Sequence, residues 1–223
     1  MDYTRKMLYY TFVNEDRYII FLRGFGNTLL LSIASFILGT LFGVLLCACK
    51  RSGNKSLVKI GNLITSILIN IPTMVLLLAF VYVIFGSIHA PLTIIIIIAL
   101  TMKTGAYICE ILNTSLDAVD VGEIEAARTL AMSKRQTFRY IIMPHVISTG
   151  LELYKNQFVI CMQETAVVGY VAMVDLTRAA SIVAARTMDA FFGLITITII
   201  YFLIGYIAKN LLNLLQANEH IEV

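Results

Sequence analysis

Apolar positions fall into five long stretches, residues 26–49, 60–85, 91–112, 144–174 and 190–212, joined by shorter polar connections. Each is long enough for a hydrocarbon core that takes about 20 apolar residues. The pattern therefore predicts five membrane-spanning helices. Residues 24–215 are expected to form one membrane domain, preceded by a polar and aromatic segment over 1–23 and followed by a polar tail over 216–223. The lead-in mixes Arg5, Lys6, Glu15, Asp16, Arg17 and Arg23 with Tyr9, Tyr10, Phe12, Tyr18 and Phe21, as in a short interfacial helix. It does not read as a cleavable signal, because the apolar stretch after it exceeds an h-region. In the first span Gly39 and Gly43 have the G-x-x-x-G spacing that lets two helix backbones approach closely. In the second, Pro72 removes a backbone donor and is expected to kink the helix. Residues 175–188, with Asp175, Arg178 and Arg186, read as a polar connection.

The longest polar interruption is residues 120–144. Two short helices can be read in it. The first covers 122–130, with Asp120 and Glu123 as its acidic start. The second starts at Ser133, where Gln136 three residues on completes a capping-box pattern, and Pro144 marks the next element. Ala126, Ala127 and Leu130 share one face of the first helix; Phe138, Ile141 and Ile142 lie at helical spacing in the second with basic residues opposite. Such a loop either lies amphipathically on the membrane surface or docks a soluble partner.

The fourth span is unusual, carrying Glu152, Lys155, Asn156, Gln157, Gln163 and Glu164. A charge at the bilayer centre costs about 2.5–3.5 kcal/mol on insertion scales, so this span must be enclosed by protein or line a wet cavity. Lys103 falls near the middle of the third span, with Glu110 seven residues later on nearly the same face. Two readings stay open. Lys103 or Lys155 meets a passing carboxylate, with Asn156, Gln157 and Glu164 supplying hydrogen bonds or meeting an ammonium. Alternatively, Lys103–Glu110 and Glu152–Lys155 are structural pairs between helices.

Composition agrees with the pattern: 59% of the 223 residues are hydrophobic, 14% are charged, and mean hydropathy is +0.84. This is a polytopic membrane protein. The net charge of +3 is small and not gathered in one block, which argues against nucleic-acid binding. Cys47, Cys49, Cys109 and Cys161 lie in or at the ends of apolar stretches without metal-ligand spacing and read as apolar residues. No metal site is expected. His89, His145 and His220 are scattered near span ends, as interfacial or capping residues. No G-x-x-x-x-G-K-[ST] stretch is present, so no nucleotide cofactor is expected on this chain. With residues 120–144 in the cytoplasm, nine Lys and Arg face that side against six outside. The positive-inside rule then places the N-terminus outside and the C-terminus in the cytoplasm.

EAARTLAMSKRQTFRYIIMP, residues 125–144, resembles the signature loop E-A-A-x3-G-x9-I-x-L-P of bacterial ABC-importer permeases. Glu125, Ala126, Ala127, Ile141 and Pro144 match; Met143 stands for Leu, and Ala131 for Gly. Glycine permits a left-handed turn, so Ala131 implies a turn that is less sharp or held by its surroundings. GNTLLLSIAS at 26–35, AYICEI at 106–111, KNQF at 155–158, ETAVVG at 164–169 and DLTRAA at 175–180 are similar to the polar amino-acid branch of that family. Where that branch reads R-[GN]-T-P, this chain has Ile69, Asn70, Ile71 and Pro72.

The resemblance implies an all-α membrane protein of about five transmembrane helices with a cytoplasmic coupling-helix loop, the type I ABC importer permease fold. It implies an inner-membrane subunit that pairs with itself or a sister subunit, and an extracytoplasmic solute-binding protein that delivers a polar amino acid. Cystine, glutamine, glutamate, arginine and histidine are all admitted. It also implies a cytoplasmic ABC ATPase dimer, holding ATP and Mg, that docks on Glu125, Ala126, Ala127, Arg128, Ala131, Phe138 and Pro144; the permease would then not itself be an enzyme. A stand-alone secondary transporter or channel, and a membrane enzyme or assembly factor, are the competing classes. The first would work alone and usually show two related halves; the second would gather His, Asp or Glu at one depth.

Overall fold

The computed structural model describes residues 2–219, so His220 and the last residues of the expected tail lie outside the described residues. No strand occurs among them. The helices are α1 (Asp2–Leu8), α2 (Tyr18–Lys50), α3 (Lys55–Asn70), α4 (Thr73–Leu78), α5 (Leu92–Asp117), α6 (Val121–Thr129), α7 (Lys134–Thr137), α8 (Met143–Glu164), α9 (Leu176–Thr187) and α10 (Phe191–Glu219). Tyr18–Lys50, Leu92–Asp117 and Phe191–Leu211 are each long and apolar enough to cross a membrane; two broken helix pairs raise the number of candidate spans to five.

Several boundaries differ from those read in the sequence. The first span begins at Tyr18, not at residue 26, because the lead-in folds back onto it. Arg17 is 5% exposed; its guanidinium donates to the Tyr10 carbonyl at 2.8 Å and to Glu15 at 3.0 Å, while Phe12 packs on Phe21 with ring centroids 5.5 Å apart. The second stretch is not one kinked helix. α3 ends at Asn70, Pro72 stands before α4, and a π-helical turn over Ala79–Ile84 completes it. Residues 175–188 are not a mere connection either. Asp175 caps α9, accepting from the Thr177 and Arg178 amides at 3.0 and 2.9 Å. Leu176, Ala179, Ala180 and Val183 are buried at i, i+3, i+4 and i+7 of that helix. α10 runs on to Glu219, through what was expected as tail.

The chain divides into two compact units. The first comprises the described residues up to 35, residues 72–100, and those from 159 onward. Its apolar core gathers Phe21, Leu176, Ala179, Ala180, Val183 and Ile197. Two of the motifs that carry the family likeness meet here. Asn27 donates to the Val174 carbonyl at 2.7 Å, and the Thr28 hydroxyl accepts from the Leu176 amide at 3.2 Å. At Gly24 a Cβ would lie 2.6 Å from the Asp175 carbonyl oxygen, so only glycine fits that crossing.

The second unit comprises residues 36–71 and 101–158. Here α2 and α5 cross at near backbone contact. A Cβ on Gly43 would lie 2.7 Å from the Gly105 carbonyl oxygen, and one on Gly105 would lie 2.6 Å from Phe42 and 2.8 Å from the Gly39 carbonyl oxygen. The G-x-x-x-G spacing thus marks a real packing face, with Gly105 as its counterpart. Leu46, Cys47 and Cys109 continue the contact.

Candidate functional site

The polar loop of the second unit is a folded unit in its own right. α6 starts where Asp120 accepts from the Gly122 amide at 2.8 Å. It stops in a Schellman turn: the Met132 amide donates to the Ala127 carbonyl at 3.1 Å and the Ala131 amide to the Arg128 carbonyl at 3.0 Å. Ala131 sits at φ 57°, in the left-handed region. The turn is therefore as sharp as glycine would make it and is held by its surroundings, the second of the two possibilities left by the sequence. α7 opens with the expected capping box. The Ser133 amide donates to Gln136 Oε1 at 2.9 Å and the Gln136 amide donates to Ser133 Oγ at 3.3 Å. A π-helical turn over Phe138–Ile142 leads without a break into α8, and Pro144 lies in the first turn of that helix, as expected.

Burial divides the loop's residues in two. Ala127 is fully buried and Thr137 nearly so, as α6 packs on α7 and the turn after it. Ala127 is thus an internal spacer, which removes it from the apolar stripe it was expected to share with Ala126 and Leu130. Glu125, Ala126, Arg128, Ala131, Phe138 and Pro144 are exposed. Leu130 is 76% exposed and Tyr140 64%. Exposed Leu130, Phe138 and Tyr140 can each bury apolar area against a protein, and Arg128, Lys134 and Arg139 can make charge-assisted hydrogen bonds to it.

The polar residues of the spans are engaged one by one. Lys103 is 2% exposed and donates to the carbonyls of Leu68 at 2.8 Å, Ile69 at 3.0 Å and Ile71 at 2.5 Å, with the Tyr107 ring 5.4 Å from its ammonium. These are the carbonyls that the end of α3 leaves unsatisfied, at the negative end of its dipole. Of the two readings left open, the Lys103–Glu110 pair does not form. Glu110 instead accepts from Lys50 at 2.5 Å. Arg51 extends this belt, donating to the Asn113 side chain and carbonyl at 3.0 Å each and pairing with Asp117. The belt was missed in the sequence. Its signal was there: Glu110, Asn113 and Asp117 recur at i, i+3 and i+7, one face of α5, opposite the Lys50–Arg51 pair that closes α2.

Lys155 is 3% exposed and lies 3.6 Å from Glu152 one turn earlier; that pair exists, but within one helix and not between two. Gln157 is 4% exposed, and its Nε2 has no hydrogen-bond partner among the described residues, whereas Asn156 is exposed. Glu164, in the first unit, accepts from the Thr73 hydroxyl at 2.7 Å. Among the described residues no group of three or more His, Cys, Asp or Glu could hold a metal ion.

This set of broken and continuous spans, with a capped polar loop between the third and fourth, defines the class: an all-α permease of the type I ABC importer fold. The sequence profile of the binding-protein-dependent transport system inner membrane component matches residues 35–218, and the chain belongs to that family. It is 30% identical over 209 residues to the "Putative glutamine transport system permease protein GlnP" of Rickettsia prowazekii (strain Madrid E), covering 91% of this chain and 96% of the relative. It is 25% identical to the "Nopaline transport system permease protein NocQ" of Agrobacterium fabrum, covering 84% and 86%. Among solved structures, a chain of an amino acid ABC transporter crystallised with histidines superposes with a TM-score of 0.82 at 30% identity, covering 90% of this chain and 94% of that one. The chain is a multi-pass membrane permease of this transport family.

Proposed function

We propose that the protein is the transmembrane subunit of an ATP-binding-cassette importer that carries a polar amino acid inward across the cytoplasmic membrane. A separate ATPase dimer, which binds ATP and Mg, drives it by docking on residues 120–144. A second permease subunit, identical or sister, completes the pore, and an extracytoplasmic binding protein delivers the substrate. The carrying observation is the loop: two capped helices, locked through Ala127 and Thr137, hold Leu130, Phe138 and Arg128 out into solvent. ATP hydrolysis can drive transport only through a contact whose energy differs between two states, and a rigid, outward-facing knob can transmit such a displacement.

Amino-acid transport is supported by the family and by what its relatives are named for. Within the spans, Lys155, Asn156, Gln157 and Glu164 are the side chains proposed for the substrate's polar groups. Lys103 already donates three hydrogen bonds to carbonyls, which a substrate carboxylate would have to displace. Uptake competition with cystine, glutamine, glutamate, arginine and histidine identifies the cargo.

The docking surface is tested at exposed positions, because a bulky residue at buried Ala127 would unfold the loop itself. Leu130→Asp combined with Arg128→Glu should abolish co-purification of the ATPase and substrate-stimulated hydrolysis, while the permease still folds and inserts. Normal coupling in that variant refutes the docking assignment. Uptake by the permease alone in proteoliposomes would turn the reading into a secondary transporter.

A further inference from the structure

The first unit contains a cavity of about 510 Å³ that the transport cycle above does not use. Arg23 of α2 and Arg186 of α9 both line it, together with Leu92 and Thr93 of α5. Leu92 and Thr93 are the first two residues of a 26-residue helix. Early in such a helix the amides have no carbonyl partners within it and the dipole is positive. Neither arginine forms an ion pair among the described residues. Ile20, Val174 and Ile182 add apolar lining. The cavity also sits where spans begin: Arg23 is in the second turn of α2, and Leu92 opens α5. Long basic side chains near span ends reach toward the lipid–water interface, and arginine there can pair with phosphate.

We propose that this cavity is a binding site for an anionic phospholipid, its phosphodiester held by Arg23, Arg186 and the first turn of α5, and its glycerol and upper acyl carbons against the apolar lining. Three features favour a lipid over a protein partner. The surface is concave, and its volume lies in the range of small-ligand sites, about 300–1,000 Å³. The lining puts apolar side chains next to positive ones, as a lipid joins its chains to its headgroup. Arginine's planar fork matches two phosphate oxygens, which a lysine does not. The site selects for charge, so phosphatidylglycerol should bind and phosphatidylcholine should not.

The full chain, in its assembled complex, is reconstituted in nanodiscs of phosphatidylcholine with one-fifth phosphatidylglycerol. It is then released into detergent, and the lipid it retains is read by native mass spectrometry. Wild type should retain phosphatidylglycerol in preference to phosphatidylcholine. Arg23→Gln with Arg186→Gln should lower that retention at least tenfold, while Arg23→Lys with Arg186→Lys keeps part of it. Normal thermal melting of the variants excludes misfolding as the cause. Equal retention by wild type and the glutamine variant overturns the site. Displacement of the lipid by millimolar inorganic phosphate would make it a free-anion site and overturn the lipid assignment. So would unchanged lipid retention with lost stimulation by an acidic binding protein, because the arginines would then belong to a protein interface. The readout is lipid retention and not uptake, so the site can fail without touching the proposed transport function.

Discussion

Two residues hold backbone that the rest of the chain could not hold alone. Ala131 takes a left-handed conformation at the end of α6, where a Cβ costs about 1–2 kcal/mol. The Schellman hydrogen bonds keep it there. Replacing it with glycine removes that cost but adds about 0.4–1 kcal/mol of unfolded-state entropy, so Ala131→Gly should stabilise the loop by the difference, roughly 0.5–1 kcal/mol. Hydrogen exchange of the Ala131 and Met132 amides should slow accordingly; faster exchange would mean the turn is not strained. Ala131→Val should do the reverse. Lys103 plays the complementary part at the end of α3, where three carbonyls converge on one ammonium. Lys103→Met leaves them without it in an apolar setting, at a cost of roughly 1–3 kcal/mol. Thermal melting should drop, and the substrate preference of the folded fraction should stay the same. A variant that melts normally but no longer binds substrate would return Lys103 to the translocation path.

Among elements, the α2–α5 crossing is the most sensitive to size. Gly43 and Gly105 leave no room for a side chain, and Gly39 leaves little. Gly105→Leu should destabilise the second unit by several times what Leu45→Ala does, since Leu45 is 65% exposed; overpacking costs typically about 1–3 kcal/mol. The comparison is read from denaturant or thermal unfolding of both variants. The crossing was visible in the sequence as a glycine spacing, but its partner Gly105 was not, because a single glycine in an apolar span has no period to betray it. Helix α9 shows the opposite failure. Its buried positions follow the i, i+3, i+4, i+7 pattern after an aspartate cap, yet Arg178 and Arg186 drew attention to its exposed side. The capped loop was legible almost to the residue, because Asp120, Ser133 and Gln136 act locally through side-chain to backbone bonds. Burial of Ala127 was not, since only the packing of α6 on α7 decides which side of a nine-residue helix faces inward. The carbonyl partners of Lys103 were not legible for the same kind of reason: they lie more than 30 residues away, at a helix end just before Pro72.

At the scale of the whole molecule, charge decides which way the chain faces. Lys50, Arg51, Lys55 and Lys59 cluster between α2 and α3, and Arg128, Lys134, Arg135 and Arg139 cluster between α5 and α8. These two clusters sit at corresponding ends of their spans, one connection apart, and their Lys and Arg resist translocation. Part of that charge is neutralised locally, since Lys50 and Arg51 pair with Glu110 and Asp117. Among the described residues the four basic residues of the capped loop form no ion pair, so their charge counts in full toward the orientation. A cysteine placed in that loop reports the outcome directly. Cys47, Cys109 and Cys161 are buried, so only Cys49 needs replacing to give a quiet background. Arg135→Cys in a Cys49→Ser chain should react with a membrane-impermeant maleimide in inside-out vesicles and not in intact cells. Labelling of intact cells would place the loop outside. An ATPase in the cytoplasm could then never reach Leu130 or Arg128, and the coupling mechanism would fail with the orientation.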